Sequence, residues 1–577
     1  MTSVGAPLLE GSDNERSQTR IATATAVRTA PPVGRVPRNR SISESAASHS
    51  PLPSSSSITN LADRQRRPFH YAPDASDDDD SSLMTSANTS SVDHNMAIRY
   101  RLFNRLDPGG NSLRMPDHVV PAEFFSILPF SDFTDDSGKQ NSIVTIFSIW
   151  NTMMGTSLLA MPWALYQAGL GLGLFLMLAV AALALYTAYR IVESPQGLGL
   201  TSDAGLPDFP DVCRYFWGRS GELFAVVFSI VVLLGGVIVY WVLMSNFLYY
   251  TGTVFYNAMQ ENSTEVPVMV NKTWTCDVYC LEGVDVQPLV KSDNSSTFEK
   301  LWKLQGTVPF YLAVIAFPLL NFKSPTFFTK FNMLGTISVV YLLGFVLSKV
   351  FECGINLDFS AAGPGKLHHV ELASWRFPAL TGTLALSYFI HNAVLNILRN
   401  QKNPSNNARD LTIGYCLAAF CYVFVGFGFY AAFPTFKSCI SDNFLNNFGS
   451  GDVLSAMARL FLLFQMFTVL PLLMYLIRAQ LSYSIVGLVY PGFGWVCLIN
   501  AVVMSISILF AVFFPHVGSI LRYVGSFSGL IYLFALPSAV HLKRLQMKGE
   551  LTRTQLIVHG IIVLLGVLNL LAQFALV

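Results

Sequence analysis

Residues Ile149-Trp150-Asn151-Thr152-Met153-Met154-Gly155-Thr156-Ser157 set one amide, three hydroxyls and a glycine inside the first long apolar segment of the chain. In hydrocarbon every backbone polar group needs an internal partner, so a membrane-crossing helix gives up apolar length to such a run only if it binds something there. The chemistry on offer is non-covalent. Unwound carbonyls coordinate a cation or an ammonium group, and the N–H groups opening the next half-helix face a carboxylate. Asn151 to Ser157 is therefore the first candidate for a substrate and ion site.

A second polar run lies at Thr381-Gly382-Thr383 and Ser387-Tyr388-Phe389-Ile390-His391-Asn392. It matches the first break in position if apolar segments one to five and six to ten are inverted repeats. Paired broken helices at equivalent places are the sequence mark of a transporter's midplane site. Phe389, His391 and Asn392 are its candidate substrate contacts. The competing reading of either glycine is a tight contact between helices of small residues. His391 itself stays open between a proton-sensitive gate and a neutral, hydrogen-bonded core histidine, the second being preferred. Thr468, in the apolar run Phe464 to Pro471, reads first as a hydroxyl bonded to the carbonyl four residues back. Leu473 to Arg478 fits a proposed cholesterol pattern, which an interfacial Tyr and Arg anchor explains equally well.

No G-x-S-x-G, H-E-x-x-H or Walker sequence occurs, and no paired carboxylates lie inside an apolar segment, so an enzyme is not expected. No Cys/His cluster has zinc spacing. No organic cofactor is expected.

The elements that must position these residues are membrane helices. Charged residues are 13 % and hydrophobic residues 52 %, with a mean hydropathy of +0.45, against roughly one quarter charged in soluble domains. A net charge of +1, with no basic stretch interleaved with aromatics, argues against nucleic acid as a partner. Eleven apolar segments are long enough to cross, or nearly so. They lie near 143–165, 170–192, 221–250, 307–321, 331–351, 377–398, 411–433, 453–477, 489–514, 517–541 and 556–576. The expectation is an all-α polytopic membrane domain over 139–577, the first span also serving as targeting signal, since no signal peptide precedes it.

Residues 1–138 form a polar tail with a serine run at 54–57 and an acidic run at 77–80, expected to be disordered over 1–60. Residues 61–130 carry anchors between charges, a pattern suited to folding on a partner. These are Arg67, Pro68 and Phe69, then Ile98, Tyr100 and Leu106, then Pro116, Asp117, His118, Val119, Val120 and Pro121.

Cations near the segment ends, among them Arg190, Arg214, Arg219, Arg399, Arg409, Arg478 and Lys543, place the tail in the cytosol and the C-terminus on the far side. Three glycosylation sequons, at Asn262, Asn271 and Asn294, all fall in the loop 251–306 that charge places in the lumen. Cys276, Cys280 and Cys439 also fall in lumenal loops, and Cys439 is expected to bridge to Cys276 or to Cys280. Cys416, Cys421 and Cys497 lie inside spans as packing residues.

The runs W-N-T-M-M-G-T-S at Trp150 to Ser157, N-F-K-S-P at Asn321 to Pro325, F-I-H-N at Phe389 to Asn392, R-D-L at Arg409 to Leu411 and L-F-L-L-F-Q-M at Leu460 to Met466 together resemble the sodium-coupled neutral amino acid transporter family, of the amino acid/auxin permease type. With P-D-H-V-V-P at Pro116 to Pro121, the likeness is to its lysosomal arginine-sensing member. The resemblance implies a leucine-transporter-like five-plus-five inverted repeat plus one helix. It implies movement of arginine, leucine and neutral amino acids out of the lysosome or late endosome by symport. It implies arginine signalling to Rag GTPases and the Ragulator scaffold, which recruit the rapamycin-sensitive growth kinase. It places Thr152, Met153, Met154, Gly155, Thr156 and Ser157 at the substrate and associates Asn151 and Thr468 with sodium. It gives the tail from Arg66 to Pro121 to the Rag–Ragulator complex and lets Pro116 to Phe125 plug the cytosolic approach. Phe124 to Pro129 departs from that pattern. A non-transporting lysosomal receptor or scaffold, and a plasma-membrane neutral amino acid transporter, are the alternatives.

Overall fold

The computed structural model describes residues 140–195, 208–259, 276–280, 297–322, 332–360, 368–399, 401–449, 451–486 and 491–575. The tail motifs and the three sequons lie outside these residues. The described part is helical, with three isolated β-bridges. In chain order the helices are α1 (Ser142–Met153), α2 (Ser157–Ala168), α3 (Leu170–Glu193), α4 (Phe209–Met259), the short α5 (Thr297–Leu301), α6 (Val308–Leu320), α7 (Asn332–Cys353), α8 (Pro378–Ser387), α9 (Val394–Leu398), α10 (Asn407–Ala432), α11 (Val453–Val486), α12 (Phe493–Phe513), α13 (Val517–Gly529), α14 (Leu536–Lys548) and α15 (Arg553–Ala575).

Helix stands at each of the eleven expected segments. Among the described residues eight helical stretches are individually long and apolar enough to cross a membrane. A ninth results if α1 and α2, bent by 61° at their junction, form one broken span. The remaining two segments fall short for local reasons. α6 has 13 residues and carries Pro318 near its end, and the sixth segment is divided into α8 and α9. α4 runs longer than its expected segment because a first stretch from Phe209 joins it through Gly218, whose φ of 67° only glycine adopts cheaply.

α8 packs against α13, and α4 against α11. The α8–α13 contact is backbone on backbone. A Cβ on Gly525 would collide with the Gly382 carbonyl, and one on Gly382 would lie 2.6 Å from the Arg522 carbonyl. Thr381-Gly382-Thr383 is therefore continuous helix in close contact, and the expectation that it interrupts span six is corrected. The interruption is confined to 388–393.

The ends of the bundle differ. At one end Cys280 pairs with Cys439, one of the two expected alternatives, and Cys276 pairs with Cys353 at the end of α7. Buried Arg459 donates to the Leu445 and Phe448 carbonyls beside them. Buried Lys437 caps α10 by donating to the Tyr430 and Phe433 carbonyls at 2.7 and 2.9 Å. At the opposite end Arg399, just after α9, pairs with Asp208, just before α4, at 2.5 Å, and within α4 Arg214 pairs with Glu222 across Gly218 at 2.8 Å.

Candidate functional site

α1 stops at Met153 because the chain turns extended at Met154 (φ −71°, ψ 95°), and α2 restarts at Ser157. A helix end leaves its last carbonyls without intrahelical donors, and a helix start leaves its first N–H groups without acceptors. Both kinds of group occur within residues 151–157. A Cβ on Gly155 would meet nothing nearer than the Met153 carbonyl at 3.9 Å, so this glycine opens space instead of closing a helix contact. α8 likewise stops at Ser387, and Phe389 and Ala393 donate back into turns before α9 begins.

The two breaks meet at a cavity of about 620 Å³. All seven residues Asn151 to Ser157 line it, as do Phe389 and Asn392. From there it runs along α4 and α11 to Asp208, Arg214, Arg219, Glu222, Tyr483 and Ser484. Among the described residues none of its lining comes from the disulfide end, and the cavity continues toward the opposite end.

His391 is not among the lining residues. It is fully buried on the far side of the break, where Nε2 lies 2.9 Å from the Thr187 hydroxyl of α3. That geometry is the hydrogen-bonded core position, and the placement of His391 at the substrate is corrected to a contact with α3. Thr468 is also off the cavity wall. Its hydroxyl donates to the Gln465 carbonyl at 2.7 Å, three residues back instead of four, while its oxygen keeps lone pairs. Asn151 does line the cavity, close to Gln465 where Gly335 lets α7 approach: a Cβ there would lie 2.9 Å from Gln465 Nε2 and 3.6 Å from Asn151 Oδ1. Neutral oxygens of this kind suit a hard monovalent cation. The buried Gln465 Oε1 has no hydrogen-bond partner.

Three contributors escaped the sequence reading. Tyr422 of α10 ties the breaks together, its hydroxyl 2.5 Å from the Met153 carbonyl and 3.0 Å from that of Ser387. Tyr532 sits in a π-helical turn, Leu530–Ala535, that aims its ring edge-on at Phe389 with centroids 5.6 Å apart; such turns recur at functional sites. Gln465 lies inside the run Leu460 to Met466 and has no signal of its own in the sequence. Tyr415 and Tyr422, seven residues apart on one face of α10 and in an otherwise apolar run, are the signal that could have found the first.

The cholesterol pattern is used internally. Arg478 is 2 % exposed, donates to the Leu320 and Phe322 carbonyls that end α6, and stacks on Tyr475. Leu473 and Leu476 face the cavity.

Residues 138–577 match the family described as Transmembrane amino acid transporter protein. The Caenorhabditis elegans protein named Sodium-coupled neutral amino acid transporter 9 homolog is 58% identical over 563 residues, covering 94% of this chain and 90% of that protein. Neutral amino acid transporter 9 of Xenopus tropicalis is 42% identical over 535 residues, 89% of this chain and 95% of that one. Its Rattus norvegicus counterpart is 40% identical over 542 residues, 89% and 94%.

Proposed function

The chain belongs to the transmembrane amino acid transporter family, and on that premise we propose that it is a lysosomal amino acid transporter and arginine sensor. It moves arginine, leucine and neutral amino acids out of the lysosome and signals their sufficiency through its tail to Rag GTPases and Ragulator.

One observation carries the transport half: two helix breaks meet at a single cavity that continues toward one end of the bundle. A free amino acid presents a carboxylate and an ammonium at fixed separation. The N–H groups opening α2 suit the first and the carbonyls ending α1 suit the second. The side chain then points toward Phe389, Asn392 and Tyr532. The cavity falls within the range of about 300–1,000 Å³ usual for small-molecule sites. Sodium, which the sequence resemblance implies and one relative's name mentions, would take oxygens of Asn151, Thr468 and the unwound backbone. Bound there, it adds positive charge beside the substrate carboxylate.

The sensing half rests on Pro116 to Pro121 and the anchors upstream. Arginine would favour a state that releases this segment, which requires different arginine affinities in the two states. No lipid role is assigned to Leu473 to Arg478, whose Tyr and Arg are turned inward.

The test is arginine and leucine flux by the purified chain in liposomes, with and without sodium. Uptake no greater than that of empty liposomes removes the transport half. Surface biotinylation of most of the protein removes the lysosomal assignment. Partner binding that survives deletion of residues 1–125 removes the tail assignment.

A further inference from the structure

Two helix C-termini converge on one side chain. α1 ends at Met153 and α8 at Ser387, each at the negative end of its helix dipole and each with a last carbonyl in want of a donor. Fully buried Tyr422 stands 2.5 Å from the Met153 carbonyl and 3.0 Å from the Ser387 carbonyl, and its oxygen accepts from Ser157 Oγ at 3.4 Å. A phenol carries one proton. Two acceptors within reach therefore share a single donor.

The neighbouring tyrosines differ. Tyr415 donates to the Tyr388 carbonyl at 3.1 Å and Tyr388 to the Met177 carbonyl at 3.3 Å, each with one acceptor. They can only hold. Tyr422 can change partners by turning its hydroxyl, with no movement of heavy atoms, because both carbonyls already lie within hydrogen-bond distance. Of the two residues whose carbonyls it reaches, Met153 lines the cavity and Ser387 does not.

Resting on the transport reading above, we propose that Tyr422 is the positioning residue that couples the two breaks: with the cavity empty it donates to the Met153 carbonyl, and an arriving ammonium takes that carbonyl and turns the proton to Ser387. Occupancy of the first break is thereby written into the end of α8, which packs against α13. The ammonium gains an acceptor, the phenol keeps one, and no proton leaves the site.

The experiment is initial-rate amino acid flux in proteoliposomes, normalised to folded protein, for wild type, Tyr422→Phe and Ser157→Ala. Phenylalanine keeps the ring and removes the proton, so the ammonium binds without displacing a donor and without passing anything to α8. The expected result is Vmax at least tenfold below wild type with KM unchanged or lower. A purely structural peg would lower the yield of folded protein and leave KM and Vmax per folded molecule as they were. Vmax within twofold of wild type, or a rise in KM that accounts for the whole loss, overturns the proposal. If Tyr422→Phe does not fold, Ser157→Ala decides: it frees the phenol oxygen, and a threefold fall in Vmax at constant KM is expected, with wild-type kinetics overturning the proposal. Wild type without flux removes the transport reading and this proposal together, whereas wild-type flux retained in both variants removes this proposal alone.

Discussion

Gly155 and Gly382 belong to the first and sixth apolar segments, each among threonines, and the structure uses them in opposite ways. Around Gly155 the backbone is unwound and a Cβ would meet only the Met153 carbonyl at 3.9 Å. At Gly382 a Cβ would lie 2.6 Å from the Arg522 carbonyl of the neighbouring helix. The first glycine leaves room at the cavity wall and the second removes room between helices. A glycine in a membrane segment therefore has no meaning until the neighbouring chain is known. The same division separates adjacent residues of the second break, where Asn392 lines the cavity and His391 bonds α3 behind it.

The largest effect expected from this contrast is in the open region. Thr156→Trp should fill the cavity beside Gly155 and reduce flux to the level of empty liposomes, with a melting temperature close to wild type. Flux above about a tenth of wild type would mean that substrate does not pass this break.

In the closed region Gly525→Ala should destabilise by about 1–3 kcal/mol through overpacking against Gly382, read as a lowered melting temperature and loss of monodisperse protein. Gly155→Ala should stay within about 0.5 kcal/mol of wild type. Equal melting temperatures for the two would erase the distinction between the glycines.

His391→Ala and Asn392→Ala sharpen it within one break. Loss of the Thr187 partner should cost the histidine variant about 1–3 kcal/mol of stability and leave KM unaltered, whereas the asparagine variant should fold normally and raise KM. The reverse pattern would return His391 to the substrate.

The smallest effect tests the disulfide end, where Lys437 lies two residues before Cys439. Burial pushes the Lys437 ammonium down to about 7 from an ordinary 10.5. Between those values the unfolded chain holds a proton that the folded chain has lost. Stability therefore rises with pH across that window and is flat in this respect below it. The melting temperature of wild type should climb between pH 7 and pH 9 relative to Lys437→Met. Parallel profiles would show that Lys437 does not titrate on unfolding.

Much of this was legible because hydrocarbon imposes strong rules. Apolar length marked the helices, and polar interruption marked Asn151 to Ser157, which reach the cavity wall with Phe389 and Asn392. Tyr422 was not legible as a partner of two carbonyls, because a tyrosine's contacts depend on which carbonyls lose their intrahelical donors and where those fall in space. Whether His391 faced the substrate or the core stayed open because residues 388–393 are not helical, and helical periodicity does not orient a side chain outside a helix. Cys353 went unnoticed as a disulfide partner, since only the approach of α7 to the loop carrying Cys276 brings the two sulfurs together.

Sequence alone determined that this chain spans a membrane many times, that its first span is broken by polar residues, and that the break offers backbone groups to something small and polar. These follow from local transfer energetics, which each residue carries with it. Tertiary structure decided which glycine opens and which closes, that the cavity runs to one end of the bundle, and that one tyrosine proton stands between two helix ends. Those outcomes depend on distances between residues hundreds of positions apart, such as the 269 that separate Met153 from Tyr422.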